Sequence, residues 1–272
     1  MDTEEFVGMA PLRVISLGWG VQSWTLAAMA ALGEIEADVA IHADTFWEKA
    51  ATYEFVRQWQ PWLEAKGLRV VTVSDRRRAV DQMLTSGPDM PLFTATWNSR
   101  GQQPRVCTDR WKIQPVRRWY RSELMRLKIA KTPGAVTQFL GISLDEWHRM
   151  RDSDVKWIVN RYPLVDLRMT RGDCMTWLAA HDLPVPPKSA CVFCPFQSRS
   201  AWQDLKRAGD DDWNIALEVD TAIRDVRPPF QLFVHPARVP LADAVQIPED
   251  HGYAQPSMFD DDAGCDSGYC FV

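Results

Sequence analysis

Two thiols separated by two residues, Cys191-Val192-Phe193-Cys194, are followed at once by Pro195. That spacing lets both sulfurs reach one metal ion or cluster, whereas a lone cysteine is usually a small buried apolar side chain. A third thiol, Cys107, lies in Arg105-Val106-Cys107-Thr108-Asp109-Arg110-Trp111-Lys112, and Cys174, Cys265 and Cys270 complete the six cysteines. Four thiolates serve zinc or an iron–sulfur cluster. A thioredoxin-type dithiol fits less well, because the pair follows the proline-rich run Leu183 to Pro187 rather than opening a helix after an early strand.

The second chemical signal is Ser16-Leu17-Gly18-Trp19-Gly20-Val21-Gln22-Ser23, set between an apolar run and an Ala-rich stretch. Where a strand passes through a glycine loop into a helix, backbone NH groups and the helix N-terminus converge on an anion, and phosphate is the natural guest. Glycine there permits positive φ and close approach, and Ser23 adds a hydroxyl. A plain tight turn leaves the same trace. A Walker loop is excluded, because no Gly-Lys-Ser or Gly-Lys-Thr follows at the required gap. A dinucleotide fingerprint needs glycine where Ser23 stands, although Asp44 at the end of the second strand keeps that fold, and an oxidoreductase reading, in play. Asp44-Thr45-Phe46-Trp47-Glu48, followed by Thr52-Tyr53, falls at a carboxyl strand end, where parallel sheets bind ligands; Asp44 or Thr45 would serve equally as a helix cap.

Against the Ser-Gly-Gly-x-Asp-Ser loop of the ATP pyrophosphatases, Gly20 and Ser23 match and Gln22 replaces the aspartate. The Asp44-Thr45 segment is similar to the Asp-Thr-Gly segment of the phosphoadenosine-phosphosulfate (PAPS) reductase-like branch of that superfamily. In the iron–sulfur adenylyl-sulfate reductases, a Cys pair ahead of Lys-x-x-Pro joins a later Cys-x-x-Cys around a four-iron cluster. Cys107 falls on the first of that pair, Thr108 on the second, and Lys112 and Pro115 on the Lys-x-x-Pro. Gly141 to Arg149, Tyr162 to Asp166 and Pro187 to Cys191 follow in the same order, so over residues 12–272 the chain resembles PAPS reductase-like proteins, among them the DNA phosphorothioation sulfurtransferases and phage relatives.

The resemblance implies an ATP-dependent sulfurtransferase. ATP and Mg²⁺ would sit on Ser16, Gly18, Gly20, Gln22, Ser23, Asp44 and Thr45, with Asp44 holding the metal and Lys112 and Arg149 offsetting anionic charge. A [4Fe–4S] cluster, with zinc as rival, is expected on Cys107, Cys191, Cys194 and Cys270, Cys265 and Cys174 being the other candidates for the fourth position. The acceptor is a nucleic acid or a small molecule, and the sulfur comes from a cysteine desulfurase or free sulfide. Two alternatives are an adenylyl-sulfate or PAPS-type reductase, whose C-terminal Glu-Cys-Gly-like tail Cys265 to Cys270 matches poorly, and a non-catalytic nucleic-acid-binding or assembly subunit with a structural metal, which Gln22 would suit.

Positioning these groups requires an open parallel sheet with helices on both faces, the adenine nucleotide alpha hydrolase-like architecture. Strands are predicted at Leu12 to Leu17, Val39 to Ala43, Leu68 to Val73 and Ala135 to Ile142, and helices at Ser23 to Leu32, Lys49 to Ala65, after Arg76, at Ile113 to Leu127, from Asp145 and at Thr170 to His181. Ser86 to Pro104 reads as a loop, and Asp145 and Glu146 with Arg149 as a helix-surface ion pair unless Arg149 faces phosphate. The texture changes near residue 166, dividing a nucleotide-binding α/β domain, 1–166, from a helical Cys-bearing region, 167–272. With 36 acidic against 31 basic residues, no overall positive field draws the chain to nucleic acid; Arg76 to Arg78 and Arg117, Arg118 and Arg121 are local patches or solvated faces. No apolar stretch suits a membrane span and the first residues lack a basic signal-peptide start, so a cytoplasmic homo-oligomer is expected.

Overall fold

The computed structural model describes residues 10–84 and 89–246, so Cys265 and Cys270 lie outside the described residues. In chain order the elements are β1 (Leu12–Ser16), α1 (Val21–Ala31), β2 (Val39–Asp44), α2 (Ala50–Ala65), β3 (Arg69–Ser74), β4 (Phe93–Ala95), β5 (Arg100–Gln102), α3 (Gln114–Arg126), β6 (Val136–Phe139), β7 (Ile158–Arg161), α4 (Pro163–Asp166), α5 (Arg171–Ala180), α6 (Arg199–Ala208), α7 (Asp211–Ala222), β8 (Gln231–Phe233) and α8 (Leu241–Ala244). Five strands form one sheet in the order β3-β2-β1-β6-β7, with every neighbouring pair parallel. An open parallel sheet in this order, with helices on both faces, is the α/β architecture that the motifs implied. Chain order reverses between β1 and β6, and ligands bind outside the carboxyl ends at such a switch point.

The two-residue period of the strands builds the layers. Ile15 and Ala40 point toward α1, α2 and α5, while Val14, Val39 and Ile41 point the other way, onto Val116, Tyr120 and Leu124 of α3. Each such fully buried aliphatic side chain contributes about 2 kcal/mol. α1 is buried almost all round, and its small Ala27 and Ala28 belong to the same core cluster as Cys174 and Leu178 of α5.

A second core lies under a three-stranded sheet, β5-β4-β8, antiparallel throughout. The segment read as a loop therefore contains the β4–β5 hairpin. Phe93-Thr94-Ala95 is too short to show a period, and its second partner, β8, is more than a hundred residues away. β7 was not anticipated either, being four residues long with Asn160 and Arg161 in it. The helix expected after Arg76 is a single π-type turn, Arg77–Asp81, and that from Asp145 is a 3₁₀ segment, Leu144–Arg149. Thr108–Ile113 is also π-type and runs into α3 with Pro115 just past the junction, where proline, having no NH, interrupts the hydrogen-bond ladder. Among the described residues, no helix is long and apolar enough to cross a membrane.

His235, just after β8, gives the fold an acid sensitivity. Its Nδ1 accepts from the Ala237 amide at 3.2 Å, so the neutral ring carries its proton on Nε2. Burial, with Arg199 nearby, pushes its pKa down to about 4 from 6.5. A depressed histidine adds stability that is full above 6.5 and is lost as pH falls toward 4. Between pH 7.5 and 5 the protein should lose about 2 kcal/mol through this group. His235→Gln should remove most of that dependence in urea unfolding at the two pH values; an equally steep loss in the variant would place the acid sensitivity elsewhere.

Candidate active site

β1 delivers the glycine loop to the switch point. Leu17 extends the strand, its NH donating to Ile41 O at 2.8 Å while its carbonyl accepts from His42 Nδ1 at 3.0 Å. Burial lowers the pKa of His42, which keeps the imidazole neutral. The positive φ expected of glycine falls instead on Trp19, at 59°, and Gly20 is extended. Trp19 tolerates this because its fully buried indole stacks on Trp24, with centroids 6.0 Å apart, and meets His42 and Phe55 edge-on. The loop is thus pinned by an aromatic anchor.

Ser23 closes the loop internally: its hydroxyl accepts from Gly18 NH and donates to Gly20 O, both at 3.2 Å. Gly20, the N-cap of α1, offers no side chain, and no acidic residue lies in the first turn. α5, α6 and α7 by contrast are capped by Thr170, Ser198 and Asp210. The first NH groups of α1 thus keep their positive field for a ligand. Beside them Ser16, only 3% exposed, has a hydroxyl with no hydrogen-bond partner among the described residues. A buried orphan hydroxyl at a carboxyl strand end marks a place where a polar ligand would be satisfied.

The loop is also held from β6. An added Cβ on Gly141 would lie 2.8 Å from Ser23 N, 3.0 Å from Ser23 Cα and 3.1 Å from Gln22 C, so only glycine allows this approach. Gln22, which replaces the usual aspartate, is fully buried and joins three elements. Its Nε2 donates to Ser143 Oγ at 3.3 Å and Glu146 Oε2 at 3.2 Å, and its Oε1 accepts from Arg171 at 3.0 Å. Glu146 in turn pairs with Arg149 at 2.6 Å. That ion pair is buried on the 3₁₀ segment rather than solvated on a helix, which corrects the surface reading.

At the end of β2, Asp44 Oδ1 accepts from Phe46 NH and from the Tyr53 hydroxyl, each at 2.8 Å. Burial and the adjacent Asp44 raise the Tyr53 pKa, so the phenol remains a donor. Neither Asp44 nor Thr45 caps α2. Lys49 is its N-cap, and Asp212 of α7 accepts from the Ala50 amide at 3.1 Å.

The thiols meet this same strand end. Cys191 forms an antiparallel bridge with Glu48, Val192 NH donates to Trp47 O at 2.8 Å, and Cys191 Sγ lies 3.5 Å from Thr45 Oγ1. Cys107, Cys191 and Cys194 line one cleft with Thr45, Thr108 and Lys112, around a cavity of about 30 Å³. Glu48 is buried beneath it, accepting from Ser189 Oγ at 3.1 Å and lying 3.8 Å from Lys112 Nζ. Burial and nearby Lys188 lower the pKa of Lys49. Cys174 is elsewhere, in the α1–α5 core, its thiol pushed up to about 12 by burial; it is the inert cysteine that a lone thiol suggests. Among the described residues, no three His, Cys, Asp or Glu side chains converge on one metal position. The three cleft thiols therefore do not by themselves fit a metal or cluster as its ligand set.

Of the residues singled out from sequence, Thr45, Lys112, Cys107, Cys191 and Cys194 meet in one cleft, and Trp19, Glu48, Tyr53 and Arg171, not singled out, contact them or the loop. Glu48 and Tyr53 stand in the quoted β2 segment, where their distance from Asp44 was the available signal. Arg171 had none, because its partner Gln22 is 149 residues away.

No family model matches the chain, and no curated protein matches it. Among solved structures, it is similar to PAPS reductase from Candida auris in a phosphate complex: 13% identity, 65% of this chain and 76% of that chain covered, TM-score 0.44. The likeness is distant, and the fold stands on the sheet order itself.

Proposed function

We propose that the protein is an ATP-dependent sulfurtransferase, which adenylates an oxygen-bearing acceptor and replaces that oxygen with sulfur. The observation that supports this reading is the Thr45–Cys191 contact at 3.5 Å, because it sets the thiol cleft at the sheet edge where the uncapped start of α1 opens. Oxygen is a poor leaving group, and adenylation makes it a good one. The acceptor oxygen attacks the α-phosphorus of ATP and pyrophosphate leaves; hydrosulfide then attacks the adenylated centre and AMP departs with the oxygen.

The α1 amides and the Ser16 hydroxyl hold the departing pyrophosphate. Asp44, with Oδ1 fixed by Phe46 and Tyr53, would offer Oδ2 to Mg²⁺, directly or through water, and that ion would supply charge compensation for the phosphates. Arg149, buried beside Glu146, and Lys112, beside Glu48, supply fixed positive charge at the two ends of the site. Cys191 takes the outer sulfur of a desulfurase persulfide by thiol exchange, the desulfurase leaving as its thiol. Attack of Cys194 on Cys191 Sγ then releases hydrosulfide and forms a disulfide that an external thiol reduces, whereas free sulfide serves directly as the nucleophile. A [4Fe–4S] cluster or zinc on Cys107, Cys191, Cys194 and Cys270 would bring in the last of these from outside the described residues, and the steps above require no metal on the thiols.

The test is labelled pyrophosphate exchange into ATP across a panel of RNA, DNA and small-molecule acceptors, with sulfide present. Acceptor-dependent exchange accompanied by a thiolated product is expected, and Ser16→Ala should slow it at least tenfold. Exchange absent with every acceptor would favour a binding subunit, and sulfite release from adenylyl sulfate with a thiol reductant would make the protein a reductase.

A further inference from the structure

A cavity of about 240 Å³ opens on the face of the sheet opposite α1, between β6, β7 and the helical segment that leads into α3. Ile113, Val116 and Ile158 give it an apolar floor. Gln138 of β6 stands at its base, 7% exposed. Its Oε1 accepts from the Tyr120 hydroxyl at 2.9 Å, which fixes the amide and leaves Nε2 as the group facing the cavity; among the described residues Nε2 has no acceptor. An uncommitted donor lining the base of a cavity can be met by a ligand acceptor or an ordered water.

The charged walls narrow the class of ligand. Arg117 is clamped on Asp154, with Nη1 3.1 Å from Oδ2, and Arg151 donates to the carbonyls of His148 and Met150 at 2.8 and 2.7 Å. Arg151 spends only Nη1 on these carbonyls, so the balance is set by three carboxylates, Asp109, Asp152 and Asp154, against the two guanidiniums. Asp109 spends Oδ2 on Gln114 at 2.6 Å and keeps Oδ1, and Asp152 at the exposed rim has no partner among the described residues. This excess of carboxylates disfavours an anion. It offers one deep amide donor and carboxylate acceptors over a flat apolar floor.

A planar, uncharged ring carrying both an acceptor and NH donors meets every one of these groups, and we propose that the cavity binds a nucleobase. Gln138 lies three residues before Gly141, about 10 Å along the strand from the start of α1. Asp109 and Ile113 face this cavity, whereas Thr108, Trp111 and Lys112 of the same segment face the thiol cleft. A base held here is one helical wall from the thiols. It belongs either to the nucleotide whose phosphates sit on α1 or to a nucleic-acid acceptor. The site does not depend on the sulfur chemistry proposed above.

Calorimetric titration of the full-length protein with adenosine, guanosine, cytidine and uridine tests it. At least one nucleoside should bind saturably, and Gln138→Leu and Asp109→Asn should each weaken it tenfold or more. Asp152→Asn, at the exposed rim, serves if Gln138→Leu does not fold. Displacement of the bound nucleoside by ATP assigns the pocket to the base of the nucleotide; binding alongside ATP assigns it to the acceptor. Absence of saturable binding by all four, or binding that all folded variants retain unchanged, overturns the proposal.

Discussion

Gly141→Ala is expected to destabilise the protein by about 2 kcal/mol and to abolish its grip on nucleotide, although the change adds one methyl group and touches no charged residue. The reason is that the new Cβ would meet backbone rather than a movable side chain, at 2.8 Å from Ser23 N and 3.0 Å from Ser23 Cα. Overpacking of this kind typically costs 1–3 kcal/mol, about 2 here, and the strain is relieved only by pushing the first turn of α1 away from β6. That turn carries the uncapped amides, and Gln22 on it ties Ser143, Glu146 and Arg171 together, so displacement disperses the whole site. Urea unfolding reads the stability and equilibrium dialysis the nucleotide. A variant with wild-type stability would show that the two segments yield easily, and one with wild-type ATP affinity would show that the phosphates lie elsewhere.

Glu48→Ala should have the second large effect, about 3 kcal/mol, with cleft thiols that react with iodoacetamide several-fold faster. Removing one member of a buried pair is costly because the desolvated partner loses its counter-charge. Here the carboxylate faces Lys112 at 3.8 Å and accepts from Ser189 at 3.1 Å, and its backbone bridges Cys191. Glu48→Gln, which keeps an acceptor for Ser189, should lose roughly half as much. Equal losses in the two variants would assign the effect to packing rather than to charge.

The sheet was legible because its strands are apolar on both faces: Val14, Ile15, Val39 and Ile41 form runs that only a two-sided core explains. β4, β5, β7 and β8 were not legible. They are three or four residues long, and what makes them strands is a neighbour supplied by topology, as β4 receives β8. The site divides in the same way. The thiol pair and glycine loop announce themselves by spacing, and the Asp44-Thr45 segment by its place at a strand end. Which residues stand around them is decided across the sheet. Gly141 reaches Ser23 because β6 lies beside β1, and Glu146 reaches Gln22 because the turn after β6 folds over α1. Local reading left Arg149 either in a surface pair with Asp145 and Glu146 or facing phosphate, since three-residue spacing is the same whether a turn is solvated or covered.

The central claim is that nucleotide and thiols occupy one cleft. It is tested most directly by mass-spectrometric alkylation rates at each cysteine, with and without saturating ATP and Mg²⁺. Cys107, Cys191 and Cys194 should be slowed together by the nucleotide, with Cys174 unreactive in both states. Rates at the three cleft cysteines that ATP leaves unchanged, under conditions where its binding is independently measured, would contradict the account.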